Sequence, residues 1–225
     1  MTDLKNLCAE IETAARKAAE FIMQESARFN IKATESKGLN NFVTYVDKGS
    51  EKMLVEMLGK LIPDAGFIVE EGTSDKRGEI YNWVIDPLDG TANFIHGFPF
   101  VAVSIAICRD RTPILGLVLD PLRQELFSAR RGKGAYLNGN PLHVSQPGAL
   151  KETLVATGFP HRTRDLLEPY LDAFRRIFLE VSGIRRAGAD VLDLAYLAAG
   201  RVDGFWEAGL KAWDIAAGSL LVTEA

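Results

Sequence analysis

One short acidic segment, Asp86-Pro87-Leu88-Asp89-Gly90-Thr91, has the residue types best suited to chemistry. The apolar run 83–85 before it predicts a strand that ends at Asp86. Pro87 fixes its own φ, so the chain must turn, and a turn can bring the carboxylate of Asp89 back towards that of Asp86. Two carboxylates about 4 Å apart repel each other by about 4 kcal/mol at an effective dielectric constant of about 20. A bound divalent cation would remove this penalty.

The ligand chemistry of this segment favours Mg²⁺ or Mn²⁺ over zinc, because carboxylates and carbonyls are hard oxygen ligands. Gly90 permits close approach of the backbone. If a helix begins at Thr91, the free N–H groups after Gly90 could also hold a phosphate. The alternative is an Asx-type turn that only closes the strand. The segment alone leaves both interpretations open.

Two further acidic positions could complete a metal site. Glu70 and Glu71 follow the apolar run 67–69, and only one of them should face a given site because neighbouring strand residues point to opposite faces. A solvated strand end is the alternative. Asp214 precedes an apolar helical pattern, where an ordinary N-cap is the alternative role. An N-cap can also face a site, so the two roles are compatible.

Composition and missing motifs exclude several other functions. The 225 residues carry a net charge of −4, which disfavours a nucleic-acid binder. The sequence has no dinucleotide fingerprint, P-loop, nucleophile elbow or H-E-x-x-H motif. His96, His143 and His161 are scattered and are interpreted as loop or surface residues.

Cysteine content and hydropathy predict a cytoplasmic protein. Cys8 and Cys108 lie in apolar contexts without a CxxC arrangement, as expected of reduced core thiols. The charged first residues, 1–17, do not resemble a signal peptide, and no apolar run reaches the ~18 residues of a membrane span.

The elements that must position these residues fall into two halves. Residues 1–148 predict an α+β half, in which two helices cover a largely antiparallel sheet. Residues 149–225 alternate strand and helix, which predicts an α/β half. The apolar pattern at 216–225 runs to the last residue, and we expect the natural chain to be longer. Helices are predicted at 4–22, 53–61, 165–180, 190–199 and 213–225, strands at 67–69, 81–85, 100–108, 114–119, 125–129, 153–157, 184–187 and 202–207, and a loop at 32–41.

Taken together, the motifs resemble the inositol monophosphatase family of magnesium-dependent, lithium-sensitive phosphatases. The resemblance is carried by Glu70-Glu71, by 86–94 and by Trp213-Asp214-Ile215-Ala216-Ala217-Gly218, with further similarity at 97–104, 129–134 and 188–203. It implies the layered αβαβα sandwich of the sugar-phosphatase superfamily. It also implies hydrolysis of a small phosphate monoester, most directly inositol monophosphate, and a homodimer.

The resemblance further implies a role for each site residue. One Mg²⁺ would be held by Glu70, Asp86 and the Leu88 carbonyl, and a second by Asp86, Asp89 and Asp214; the site would take two or three ions, and Mn²⁺ could replace Mg²⁺. Glu70 and Thr91 would orient the attacking water, with Asp47 supporting the Thr91 hydroxyl. Substrate contacts are implied for Asp89, Gly90, Thr91, Gly188, Ala189, Asp190 and Glu207.

Several alternatives stay open. Family members often carry a small residue in place of Asp190, so the added acid could change which ester fits. Histidinol phosphate, fructose 1,6-bisphosphate or a nucleotide 3′-phosphate could be the substrate, although Ala92-Asn93 favours the inositol type over the nucleotidases. A third hypothesis is that the chain is a factor associated with RNA polymerase. The intact acids argue against an inactive homologue.

Overall fold

The computed structural model describes residues 4–30, 35–38, 41–161 and 163–225. Among these residues, none of the helices is both long enough and apolar enough to cross a membrane. The helices are α1 Leu4–Ser26, α2 Tyr45–Leu61, α3 Thr91–His96, α4 Leu167–Phe178, α5 Asp190–Ala198 and α6 Ala212–Glu224. The strands are β1 Glu35–Gly38, β2 Asn41–Val43, β3 Gly66–Val69, β4 Tyr81–Asp89, β5 Ala102–Arg109, β6 Thr112–Asp120, β7 Glu125–Arg130, β8 Ala135–Leu137, β9 Asn140–Pro141, β10 Leu154–Thr157, β11 Gly183–Arg185 and β12 Gly204–Trp206.

Two sheets organise the molecule. The larger has seven strands in the order β3-β4-β5-β6-β7-β8-β9, and only the β3–β4 pair is parallel. The largely antiparallel sheet predicted from the sequence is therefore confirmed. The smaller sheet, in the order β11-β10-β12, is parallel throughout. Parallel pairing requires crossovers, which the helices between these strands supply.

Helices cover both faces of the large sheet. Its central strands β5 and β6 are buried almost along their whole length, as expected of strands covered on both faces. Helices α1 and α2 pack on one face through residues such as Ile11 and Leu54. Helices α5 and α6 pack on the other face through residues such as Leu192 and Ala217.

A further layer follows beyond α5 and α6. Helix α5 contacts β10 and β12 of the small sheet, and α4 stacks Tyr170 and Phe174 on Trp206 of β12. The order is thus helices, large sheet, helices, small sheet and helix, which confirms the predicted αβαβα sandwich. The division at residues 148 and 149 stays a prediction, since helices of the second half pack on the sheet of the first.

Several predicted element boundaries were wrong. The strand expected to end at Asp86 continues as β4 to Asp89, across an irregularity between the pairs Asp86–Ser104 and Asp89–Ala102. In the predicted loop 32–41, the described residues Glu35–Gly38 pair with Asn41–Val43 as an antiparallel hairpin, and positions 31–34 and 39–40 lie outside the described residues.

The second helix begins at Tyr45 and not at Met53. Residues 47–52 carry no apolar side chain, so hydrophobic spacing missed this start. A capping box fixes this start: Thr44 Oγ1 accepts from the Val46 N–H at 3.1 Å, and Asp47 Oδ2 accepts from the Thr44 N–H at 2.8 Å. The consequence for the site is that Asp47 is held rigidly at the helix start.

Candidate active site

A cavity of about 590 Å³ lies where the ends of both sheets meet. The parallel register that pairs Val69 with Ile85 brings Glu70 beside Asp86 at the end of two neighbouring strands. The loops after β10, β11 and β12 and the start of α6 close the other side. The cavity is lined by Glu70, Asp86, Leu88, Asp89, Gly90, Thr91, Ala92, Asn93, Phe159, His161, Arg186, Gly188, Asp190, Glu207, Ala208, Gly209, Leu210 and Asp214.

Asp86 is the most enclosed acid of the cavity. The irregularity in β4 lets its Oδ1 accept a hydrogen bond from the Leu88 N–H at 3.0 Å. Burial, and then the charges of Glu70, Asp89 and Asp214, raise its pKa well above the usual range for an aspartate. These shifts show that the four acids are close enough to repel one another.

Asp89 connects the large sheet to α5. Its Oδ2 accepts from the Val191 N–H at 2.8 Å, in the first turn of that helix. Burial, followed by the charge of Asp190, raises the pKa of Asp89 well above its usual range, and the bond from Val191 opposes this rise. Asp89, which belongs to residues 1–148, is therefore oriented by helix α5 of residues 149–225.

The turn after Asp89 begins helix α3. Gly90 is the N-cap with φ of 85°, a left-handed conformation that glycine adopts without strain. Thr91 and Ala92 are the first two residues of the helix and line the cavity, and the first N–H groups of a helix have no intrahelical partner. This confirms the expected helix start at Thr91.

The Thr91 hydroxyl is held by a hydrogen bond to the first turn of α2. Thr91 Oγ1 donates to Asp47 Oδ1 at 2.8 Å, and Asp47 Oδ2 accepts from the Thr44 hydroxyl at 2.6 Å. Burial raises the pKa of Asp47, while its bonds to Thr44 and Thr91 lower it. Nearby, Ser50 Oγ donates to the Pro87 carbonyl at 3.1 Å. Helix α2 thus holds both the turn and the hydroxyl.

Asp214 lies in the first turn of α6 but is not its N-cap. The N-cap is Lys211, and Asp214 Oδ2 accepts from the Lys211 N–H at 2.6 Å. The alternative role of Asp214 as the N-cap is therefore wrong, because α6 begins at Ala212 and Asp214 is its third residue. The buried Asp214 carboxyl still lines the cavity, as predicted.

The opposite end of the cavity contains Asp190 and Glu207. Both residues line the cavity, and Glu207 Oε2 has no hydrogen-bond partner in the described residues. Burial, then Asp190, raises the pKa of Glu207 to about 9. Gly188 lines the cavity, whereas Ala189 is fully buried beneath Gly90. A substrate contact by Ala189 stays a prediction.

Sequence reasoning missed several residues on the cavity wall, and three of them, Phe159, His161 and Arg186, pack together. Arg186 lies over the ring of Phe159, with 5.4 Å between its guanidinium carbon and the ring centroid. The Phe159 and His161 rings pack edge to face at 5.9 Å. No local motif marks these positions; the fold alone brings them to the site.

Asn93 joins the two halves at the cavity. Its side-chain amide donates to the carbonyls of Phe100, Ala187 and Gly188 at 2.8, 3.0 and 3.2 Å. It belongs to the acidic motif of the sequence, but nothing in the spacing indicates its partners. Its role is to fix the segment that carries Gly188 and Asp190.

The acids fit a hard divalent cation by their chemistry. Within the described residues, no three His, Cys, Asp or Glu side chains form a ready-made metal cluster. Even so, the acids Glu70, Asp86, Asp89 and Asp214 line one cavity together with Leu88, and a cation would offset their repulsion. The donors are oxygens only, which suits magnesium better than zinc.

The fold and this acid-lined cavity are those of a family of phosphatases. The chain belongs to the inositol monophosphatase family, whose model matches residues 3–225. Members of this family are generally metal-dependent.

Three known proteins show the extent of the similarity. The Nus factor SuhB of Pseudomonas aeruginosa is 49% identical over 218 residues, covering 94% of this chain and 80% of the relative. An inositol-1-monophosphatase of Mesorhizobium japonicum is 41% identical over 213 residues, with the same coverage of 94% and 80%. The solved inositol monophosphatase of Anabaena (Nostoc) has a TM-score of 0.87 at 33% identity, covering 100% of this chain and 83% of that one.

Proposed function

We propose that the chain hydrolyses a small phosphate monoester, inositol monophosphate first, to its alcohol and inorganic phosphate in a Mg²⁺-dependent reaction. The observation that carries this proposal is the convergence of four acids with the Thr91–Asp47 pair on one cavity. Glu70, Asp86 and the Leu88 carbonyl would hold one ion. A second would be held by Asp86, Asp89 and Asp214, with a third possible and Mn²⁺ as a substitute.

The cations would supply charge neutralisation and an acidified water. Thr91 and Glu70 would orient that water. Because the Thr91 hydroxyl donates its proton to Asp47, its oxygen can accept a hydrogen bond from the water. The Glu70 carboxylate would accept the other proton. The water is thereby held with a lone pair free for attack on phosphorus.

The phosphate and the alcohol would bind at opposite ends of the cavity. The N–H groups of Gly90 and Thr91 would bind phosphate oxygens. At the other end, Asp190 and Glu207 would make hydrogen bonds to the alcohol, and the pKa of Glu207, raised to about 9, allows its carboxyl to donate one. Such a pair suits neighbouring hydroxyls of a polyol, with Asp89, Gly188 and Ala189 completing the wall.

Phosphate release tests this proposal. Inositol 1-phosphate, histidinol phosphate, fructose 1,6-bisphosphate and a nucleotide 3′-phosphate are assayed with Mg²⁺, with chelator and with added Li⁺. We expect turnover with Mg²⁺, loss with chelator, inhibition by Li⁺ and a preference for inositol 1-phosphate or another sugar phosphate. Lack of metal-dependent turnover with every ester would falsify the proposal.

A second candidate function concerns transcription. The relative from Pseudomonas aeruginosa is named a Nus factor, and we propose that this chain also associates with the RNA polymerase machinery. Pull-down with polymerase, using the wild type and an inactive Asp89→Asn variant, separates the two functions. Capture of both proteins supports a role independent of catalysis, and capture of neither removes this candidate.

The proposal also includes a cytoplasmic homodimer. Light scattering coupled to size exclusion gives the mass of the particle, and about twice the monomer mass is expected. A monomer over the whole concentration range would remove the dimer from the proposal.

A further inference from the structure

Arg186 is held against the cavity wall by its surroundings. Its guanidinium lies over the Phe159 ring at 5.4 Å. On its other side, a Cβ placed on Gly188 would collide with Arg186 Nη1. The absence of a side chain at Gly188 therefore makes room for the guanidinium. A long, flexible side chain is thus confined where it lines the cavity.

The guanidinium has unused hydrogen-bonding capacity. In the described part of the chain it forms no ion pair, and the nearby oxygens Glu207 Oε2 and Asp193 Oδ2 have no hydrogen-bond partner. Arginine carries five N–H donors and no acceptor. Stacking on Phe159 occupies a face of the guanidinium and leaves the N–H groups at its edge free to point into the cavity.

The position of Arg186 is at the alcohol end of the cavity. Burial chiefly sets the pKa values of Glu207, Asp193 and His161, and Arg186 lowers all three. The charges that act on Asp86 come instead from Glu70, Asp89 and Asp214, and those that act on Asp89 come from Asp190, Asp214 and Glu70. Arg186 therefore acts on Glu207 and His161, with Phe159 beneath its guanidinium and Gly188 next to its Nη1.

We propose that Arg186 binds a second anionic group, a phosphate or carboxylate, carried by the alcohol part of the substrate. A guanidinium edge matches two oxygens of such a group in parallel hydrogen bonds. The cavity of about 590 Å³ accommodates an ester of that size. This inference rests on the proposed phosphatase function and adds a substrate class, namely sugar or polyol phosphates with a second anionic substituent.

A matched pair of esters tests the role of Arg186. Fructose 1-phosphate and fructose 1,6-bisphosphate present the same reacting phosphate and differ by one further phosphate. We expect the wild type to favour the bisphosphate in kcat/KM by roughly tenfold or more, as a charge-assisted bond allows. In Arg186→Gln this ratio should fall towards one, mainly through KM, because uniform binding is lost.

Two further variants serve as controls. Arg186→Lys keeps the positive charge and loses the paired N–H donors of the guanidinium, so it should retain part of the preference for the bisphosphate. Arg185→Gln changes the neighbouring exposed arginine, which donates to the Ile184 carbonyl and does not line the cavity. Its ratio should equal that of the wild type.

Three results would overturn the inference: no preference for the bisphosphate in the wild type, an unchanged ratio in Arg186→Gln, or an equal loss on both esters. Calorimetric titration of the same two esters provides a readout without turnover. If no ester is hydrolysed, the proposed function fails, and the titration still tests whether Arg186 binds a second anionic group. Tighter binding of the bisphosphate that disappears in Arg186→Gln supports the inference, and equal binding of both esters contradicts it.

Discussion

Two turns of this molecule contain left-handed glycines and lie close to acidic side chains. At 132–134, three successive N–H groups donate to the Glu224 carboxylate of α6 at 2.7, 3.1 and 3.0 Å. At 90–92, the turn lines the cavity at the start of α3, where we propose that its N–H groups bind a phosphate. The same local chemistry therefore binds a side chain in one place and is offered to a ligand in the other.

The difference lies in what surrounds each turn. The 132–134 turn is close to the C-terminal part of α6, which supplies its own anion. The 90–92 turn is surrounded by Asp86, Asp89 and Asp214, which repel an anion unless cations intervene. We infer that substitutions at the first turn should change stability, whereas those at the second should change activity.

The largest effect is expected for Asp89→Asn. Asparagine keeps the acceptor for the Val191 N–H, so the variant should fold. Loss of the carboxylate should lower kcat by on the order of 10²–10³-fold. Steady-state kinetics and a melting temperature measure the two properties, and a near-normal kcat would contradict the proposed metal role.

Alanine substitutions at Gly90 and Gly132 test the difference between the two turns. Gly90 and Gly132 have φ of 85° and 68°, so alanine is strained at both by about 1–2 kcal/mol. A Cβ at Gly90 would also lie 2.8 Å from the Phe100 carbonyl oxygen, whereas none of the described atoms lies within 4 Å of a Cβ at Gly132. Gly90→Ala should displace the turn and lower kcat by about 100-fold.

Gly132→Ala should lower only the free energy of unfolding. Urea denaturation and phosphate release, measured on both variants, separate the two effects. Equal activity of Gly90→Ala and Gly132→Ala would remove the functional distinction between the turns.

Loss of the Thr91 hydroxyl, in the 90–92 turn, should have a smaller effect on kcat. Thr91→Val keeps the shape and loses the bond to Asp47, so kcat should fall roughly tenfold. Thr91→Ser is the control, since it keeps the hydroxyl. If valine and serine gave the same rate, the hydroxyl would have no part in orienting water.

The smallest effect is expected for Glu224→Gln. The N–H groups of Gly132, Gly134 and Lys133 lower the pKa of Glu224. A lowered pKa in the folded state contributes stability above the unfolded pKa, and this is lost as pH falls through the folded value. The variant should lose about 0.5–1 kcal/mol near pH 7, because the group is partly exposed, and less at pH 3.

Activity of Glu224→Gln should match that of the wild type. Urea denaturation at both pH values measures the change in stability. A loss of the same size at pH 3 and pH 7 would argue against the charge of Glu224 as its source.

Some of the site could be predicted from the sequence and some could not. The acids were evident because each follows an apolar run at a strand end or begins a helical pattern. The resemblance added Asp47, and the Thr44–Asp47 capping box could have indicated the true start of α2. The run 47–52, which has no apolar side chain, hid this start from hydrophobic spacing.

Residues that depend on long-range packing could not be predicted. Arg186 and Phe159 meet because β10 and β11 lie parallel in the small sheet, with Ala156 beside Arg185. Their sequence separation and lack of motif give no local signal. The same holds for Val191, whose N–H meets Asp89 only when α5 packs on the large sheet.

The amide of Asn93 has a kinetic consequence. It connects to carbonyls 94 and 95 residues further along the chain. Contacts of such separation require closure of a long loop, which costs entropy before any packing compensates it, and chains rich in such contacts fold slowly. The cavity should therefore be completed late in folding, after the large sheet has formed. A nascent chain that ends before Gly188 would contain Glu70, Asp86 and Asp89 but could not yet form the cavity.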